Sequence, residues 1–69
     1  MTIKWIDGFE ITAEAGDGAA YIRANREGLL SLAGILAALA EESDGSHIHL
    51  DACNSLEEGS AELIIEKEG

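Results

Sequence analysis

Between Glu27 and Glu41 the chain carries no charged residue for thirteen positions, Gly28–Ala40. As a helix this run would reach roughly 20 Å, short of the ~30 Å of hydrocarbon it would need to span, so it predicts a core helix and not a membrane anchor. Leu29, Leu32, Ala33, Leu36, Leu39 and Ala40 recur at helical spacing. Asn25 is a favourable N-cap, Glu27 suits the positive end of the helix dipole, and Ser43-Asp44-Gly45 supplies a stop. The helix is therefore expected over 26–42, with Leu29, Leu32, Leu36 and Leu39 meeting a sheet.

The opposite side of that helix is not charged either. It carries Ser31, Gly34 and Ala38, flanked by Leu30, Ile35 and Ala37. A glycine in mid-helix costs about 1 kcal/mol relative to alanine, and close approach by another backbone would offset that. One sheet covers only one side of a helix, so a homodimer is expected through Leu30, Ser31, Gly34 and Ala38. The alternative is that small residues are simply tolerated at the surface.

The flanking segments are β-prone. Ile3–Ile6 ends at Asp7-Gly8, a pair suited to a tight hairpin turn, although a bulge in one longer strand fits as well. Phe9–Glu14 alternates apolar and polar, Gly16-Asp17-Gly18 makes a second turn, and Ala19–Ala24 alternates with Ala20, Ile22 and Ala24 inward. After the helix come His47–Asp51, a polar loop over Ala52–Ser60, and Ala61–Lys67. The expected fold is a single α+β domain over residues 1–69, with one α-helix packed on an antiparallel β-sheet in the order β-β-β-α-β-β.

A 69-residue chain buries only about 60% of its unfolded surface, so its core is marginal. Cys53 is the sole cysteine and cannot staple the monomer. Fourteen acidic residues face only Lys4, Arg23, Arg26 and Lys67, for a net charge of −10. That surface repels nucleic acid and anionic lipid, whose phosphates require Lys and Arg. It either serves solubility or steers the chain toward a basic protein surface. Met1-Thr2-Ile3-Lys4-Trp5 lacks a charged leader followed by an apolar run, which with the single cysteine predicts a cytoplasmic protein.

His47, His49 and Asp51 share one face of their strand. Three readings stand: a partner-facing polar face, a pH-sensitive histidine pair, or a metal site completed by Glu62 or Glu66. Asp51 lies about 13 Å from His47 along a strand, so the three cannot easily share one ion, and no metal or other cofactor is expected. A Cys53–His49 pair without an oxyanion site does not make an enzyme, and Gly16-Asp17-Gly18 lacks the Gly-Lys-Ser/Thr ending of a phosphate loop.

Asn25-Arg26-Glu27-Gly28-Leu29-Leu30-Ser31-Leu32-Ala33, Ser46-His47-Ile48-His49-Leu50-Asp51 and Leu56-Glu57-Glu58-Gly59-Ser60-Ala61-Glu62-Leu63-Ile64-Ile65 together resemble the immunity protein 32 family of bacterial polymorphic toxin systems. The strand His-Ile-His-Leu-Asp followed by Gly-Ser-X-Glu-Leu-Ile-Ile is the most specific part. The resemblance implies a non-catalytic cytoplasmic protein that neutralises a cognate toxin. Acidic residues can pair with the basic groove of such a partner. The candidate partner-binding residues are Asp51, Glu57 and Glu58, with Asp44, His47 and His49 as neighbours. The rival readings are a homodimeric structural or regulatory protein with no toxin partner, and a metal- or pH-sensing domain using His47 and His49.

Overall fold

The computed structural model describes all 69 residues and contains four strands and one helix. In chain order these are β1 (Ile11–Gly16), β2 (Ala19–Ala24), α1 (Arg26–Ala40), β3 (His47–Leu50) and β4 (Leu63–Glu66). The strands form two separate antiparallel pairs, β1-β2 and β3-β4. This corrects the expected single sheet and its β-β-β-α-β-β order.

The strand expected at Ile3–Ile6 does not form, because its backbone groups are bonded elsewhere. The Ile6 amide donates to Ser31 Oγ at 2.9 Å, and the Phe9 amide closes a turn onto the Ile6 carbonyl at 3.1 Å. Gly8 sits in that turn at φ 85°, a left-handed conformation that glycine adopts without penalty. Across the turn the Trp5 and Phe9 rings stack with centroids 4.5 Å apart, and both pack against the core. Asp7-Gly8 thus reverses an irregular segment and joins no two strands.

The second turn behaves as its composition dictates. Asp17 (φ 53°) and Gly18 (φ 76°) both have positive φ, as a two-residue hairpin turn matched to strand twist requires. Pairing runs from Gly16↔Ala19 to Ile11↔Ala24, so Ile11, Ala13, Ile22 and Ala24 share one face. The base of the hairpin is buried, with Ile11 and Ala13 in the core. Toward its tip it is uncovered, so Ala20 and Ile22 are exposed where the alternation placed them inward.

Helix α1 is rotated relative to the leucine stripe. Gly28, Ser31, Leu32, Ile35 and Leu39 face inward, while Leu29 and Leu36 are about half exposed (55% and 47%). Two contacts set this orientation. A Cβ at Gly28 would meet the Glu10 carbonyl oxygen at 2.5 Å and both Ala24 Cβ and Ile11 Cγ1 at 3.0 Å, so the helix reaches β1 only where no side chain intervenes. Ser31, 1% exposed, accepts from the Ile6 amide and donates to the Glu27 carbonyl at 2.8 Å. A leucine-sized residue at either position would hold the helix off. Within one chain the close approach to the helix is at Gly28; a Cβ added at Gly34 would meet open space.

Asn25 fastens three segments at the helix start. Its Oδ1 accepts from the amides of Gly28 (2.8 Å) and Glu10 (3.0 Å), and its Nδ2 donates to the Gly8 carbonyl at 2.9 Å. At the other end Glu41 caps the helix, and Lys67 Nζ donates to the Glu42 carbonyl at 2.7 Å. Ile48 and Leu50 of β3, with Leu56, complete a core made of Ile11, Ala13, Leu32 and Ile35. Ten of 69 residues are buried, so each core side chain carries a large share of the stability.

Two glycine substitutions separate these effects. Gly28→Ala is expected to destabilise the fold by about 1–3 kcal/mol despite the better helix propensity of alanine, because the added methyl overpacks a backbone contact. Gly34→Ala, in open space, is expected to stabilise it by about 1 kcal/mol. Urea denaturation of both variants at low micromolar concentration measures the difference in sign.

Candidate functional site

The two strand pairs are joined by the segment between Glu57 and Ala61. The Glu57 amide donates to the Ile11 carbonyl and the Ala61 amide to the Ala13 carbonyl, both at 2.8 Å. The Ala13 amide donates to Ser60 Oγ at 3.2 Å. These bonds lie on the edge of β1 that β2 does not use. The segment is not a strand, because Glu57–Ser60 is itself a turn. The Ser60 amide donates to the Glu57 carbonyl at 3.1 Å, and Gly59 takes φ 86° at the third position. A continuous sheet is interrupted there by four residues that bulge outward.

The bulge carries Glu57 and Glu58, both exposed and neither with a Lys or Arg within 4.0 Å. Their backbone is tied to β1 at both ends. Two uncompensated carboxylates thus project from a turn whose backbone is hydrogen-bonded to β1 on both sides, an arrangement that lowers the entropy lost on binding.

Asp51 plays a different part. Its Oδ1 accepts from the amides of Cys53 (2.9 Å) and Asn54 (3.1 Å), and its carbonyl from those of Asn54, Ser55 and Leu56. Asn54 accepts through Oδ1 from the Asp51 amide and donates through Nδ2 to the His49 carbonyl, both at 3.1 Å. Asp51 therefore shapes the turn that delivers Leu56 to the core, a local side-chain-to-backbone pattern typical of Asp and Asn. Leu56 is 5% exposed and adjoins Glu57, so this turn also sets where the acidic bulge begins.

His47 and His49 lie on the exposed face of β3, their rings edge-to-face with centroids 5.0 Å apart. His49 Nδ1 stands 3.1 Å from Glu62 Oε2, and His47 Nδ1 is 3.2 Å from the Gly45 carbonyl. No three His, Cys, Asp or Glu side chains gather closely enough to hold a metal ion. Asp44 lies before β3, where Lys67 Nζ approaches its carboxylate at 3.8 Å. With the strand between them, Asp44 and Asp51 are separated by roughly 10 Å or more, and the six candidate residues do not form one cluster.

A shallow, open cleft of about 660 Å³ lies beside Asp44, lined in part by Ile3, Glu42, Ser46 and His47. Cys53 is exposed. Of the residues expected on the outer helix face, Leu30 and Gly34 are exposed and Ala38 is half-buried, whereas Ser31 points into the core. Sequence pattern did not single out Ser60, whose hydroxyl completes the clamp on β1, or Asn54. The Gly59-Ser60 and Asp51–Asn54 compositions are turn signals, but which backbone groups they bond depends on tertiary placement.

A small α+β domain with an open acidic surface and no enclosed cavity is the class this geometry defines. The chain belongs to the Immunity protein 32 family, whose model matches residues 20–68, from β2 to just past β4. The match includes the acidic bulge and leaves out β1, the strand to which the bulge is tied. No curated protein and no solved structure matches the chain. No helix is long and apolar enough to cross a membrane.

Removing the Ser60 hydroxyl tests the clamp. Ser60→Ala is expected to cost about 1–2 kcal/mol, since it leaves the Ala13 amide without its partner. Hydrogen exchange should quicken at the Glu57 and Ala61 amides more than at the amides of α1.

Proposed function

We propose that this protein neutralises a toxin in the cytoplasm of the cell that makes it, by docking a basic surface of that toxin without catalysing any reaction. Membership of an immunity protein family supports the role, and the acidic bulge supports the means. Glu57 and Glu58 are the principal contacts, and Asp44, His47 and His49, on and before β3, are secondary ones. Asp51 contributes by holding the turn before Leu56 in shape. Fields from a net charge of −10 accelerate encounter with a positive partner and fall off steeply with salt.

The observation that carries this reading is the combination of exposure, lack of counter-charge and backbone hydrogen bonds to β1 on both sides of Glu57–Gly59. Acidic residues spread over a flexible tail would give steering without register; a turn fixed at both ends gives both.

The test is capture from lysate of the source cell at low salt, followed by expression of each captured protein alone and together with this chain. A basic protein that arrests growth alone and is relieved by co-expression is expected. Glu57→Lys combined with Glu58→Lys should lower its affinity at least about tenfold and flatten the salt dependence of binding. If the doubly reversed chain binds and protects as the unchanged one does, with the same salt dependence, the bulge is not the docking site.

A further inference from the structure

The outward face of α1 is unusual for a helix on the surface of a small acidic protein. Leu29, Leu30 and Leu36 are 55%, 44% and 47% exposed, and Ala33, Gly34 and Ala37 are exposed between them. No charge interrupts this face from Gly28 to Ala40. The folded chain exposes 4673 Å². That is about 500 Å² more than the roughly 4200 Å² expected of a monomer of its mass.

Two charges at the ends of the face, Arg26 and Glu41, have the wrong sign for their own helix, whereas Glu27 has the right one. Arg26 stands at the positive N-terminal end, exposed, with only its neighbour Glu27 at 3.5 Å. Glu41 stands at the negative C-terminal end, exposed and without an ion pair. Both placements become favourable if a second copy of the helix lies antiparallel against the first.

We infer that two copies of this chain associate through the outer faces of α1, antiparallel about a two-fold axis passing between Ala33 and Gly34. That axis sets Arg26 of each copy opposite Glu41 of the other, and Leu30 opposite Ala37. Large meets small along the centre line, so the helices can approach to about 8–10 Å, and the dipoles run in opposition. The interface is self-complementary, as a two-fold contact requires.

The occupant is a second copy because the face supplies both halves of its own charge pattern. A partner attracted by the acidic surface elsewhere would be basic and would gain nothing from a charge-free strip closed by an arginine. Helix α1 has 15 residues. Its face is therefore only about 22 Å long, so the buried area falls at the low end of specific interfaces and the dimer is a micromolar one. This face is separate from the bulge at Glu57–Gly59, and its dimerisation does not depend on the toxin-docking role.

Sedimentation equilibrium of the full chain, from low micromolar to several hundred micromolar, tests the proposal. The unchanged chain is expected to pass from its monomer mass to twice that mass, and Leu36→Glu to remain monomeric. Arg26→Glu and Glu41→Arg should each weaken the dimer about tenfold, and the double variant Arg26→Glu/Glu41→Arg should restore it. Each single change suits the helix dipole of the isolated chain, so loss of the dimer with a melting temperature, read at low micromolar concentration, that is unchanged or raised reports the interface and not the fold. A chain monomeric at the highest concentration, or a dimer indifferent to Leu36→Glu and to both charge reversals, would overturn it. Loss of toxin capture by Leu36→Glu in a chain that is always monomeric would assign the face to the toxin instead and overturn the second copy.

Discussion

The outer edge of β1 is the constraint on which the molecule turns. With β2 on one side, β1 would otherwise leave the carbonyls of Ile11 and Ala13 and the amide of Ala13 unpaired beside the core, where an orphaned group costs on the order of 1–3 kcal/mol. Glu57, Ser60 and Ala61 satisfy all three. The same bonds couple the two strand pairs, which share no ladder of their own. They also fix the backbone of the exposed acidic turn, so that fold cohesion and the candidate binding surface rest on one set of contacts.

The other half of the architecture follows from how α1 reaches that strand. Asn25 ties the helix start to Gly8 and Glu10, Gly28 lets the helix axis come down on Ile11, and Ser31 holds the irregular N-terminal segment through Ile6. These are polar or side-chain-free positions at and within an apolar helix, and they decide its rotation. Burying Ser31 is tolerated because its hydroxyl both donates and accepts. The outcome is that two of the four leucines of the expected stripe, Leu29 and Leu36, turn toward solvent.

Much of this was legible in the sequence, and the failures have physical causes. The helix, its Asn25 cap, the Asp17-Gly18 turn and the strands around His47–Leu50 and Leu63–Glu66 follow local rules of capping, positive φ and alternation. Ile3–Ile6 reads as a strand by the same rules, yet the Ile6 amide bonds to a serine 25 residues away, which no local pattern reveals. The leucine stripe misleads because apolar size is a poorer guide than fit: Gly28 matters for what it lacks, and only the Glu10 carbonyl above it shows that. At the site, the exposure of Glu57 and Glu58 agrees with their composition, while the clamp that holds their backbone depends on the distant residues Ile11 and Ala13. Asp51, a candidate by its charge, commits one carboxylate oxygen, Oδ1, to the amides of Cys53 and Asn54.

Membership of an immunity protein family makes a toxin the partner under the proposed function, and the acidic turn at Glu57–Gly59, bonded to β1 on both sides, is the surface proposed to meet it. Amide chemical-shift mapping of the labelled chain, titrated with a basic toxin captured from the source cell, tests the proposed function most directly. The largest shifts are expected at Glu57, Glu58 and Gly59, with smaller ones along His47–His49. Shifts confined to the β1-β2 hairpin or to the outer face of α1, with the 57–61 amides unmoved, would contradict it.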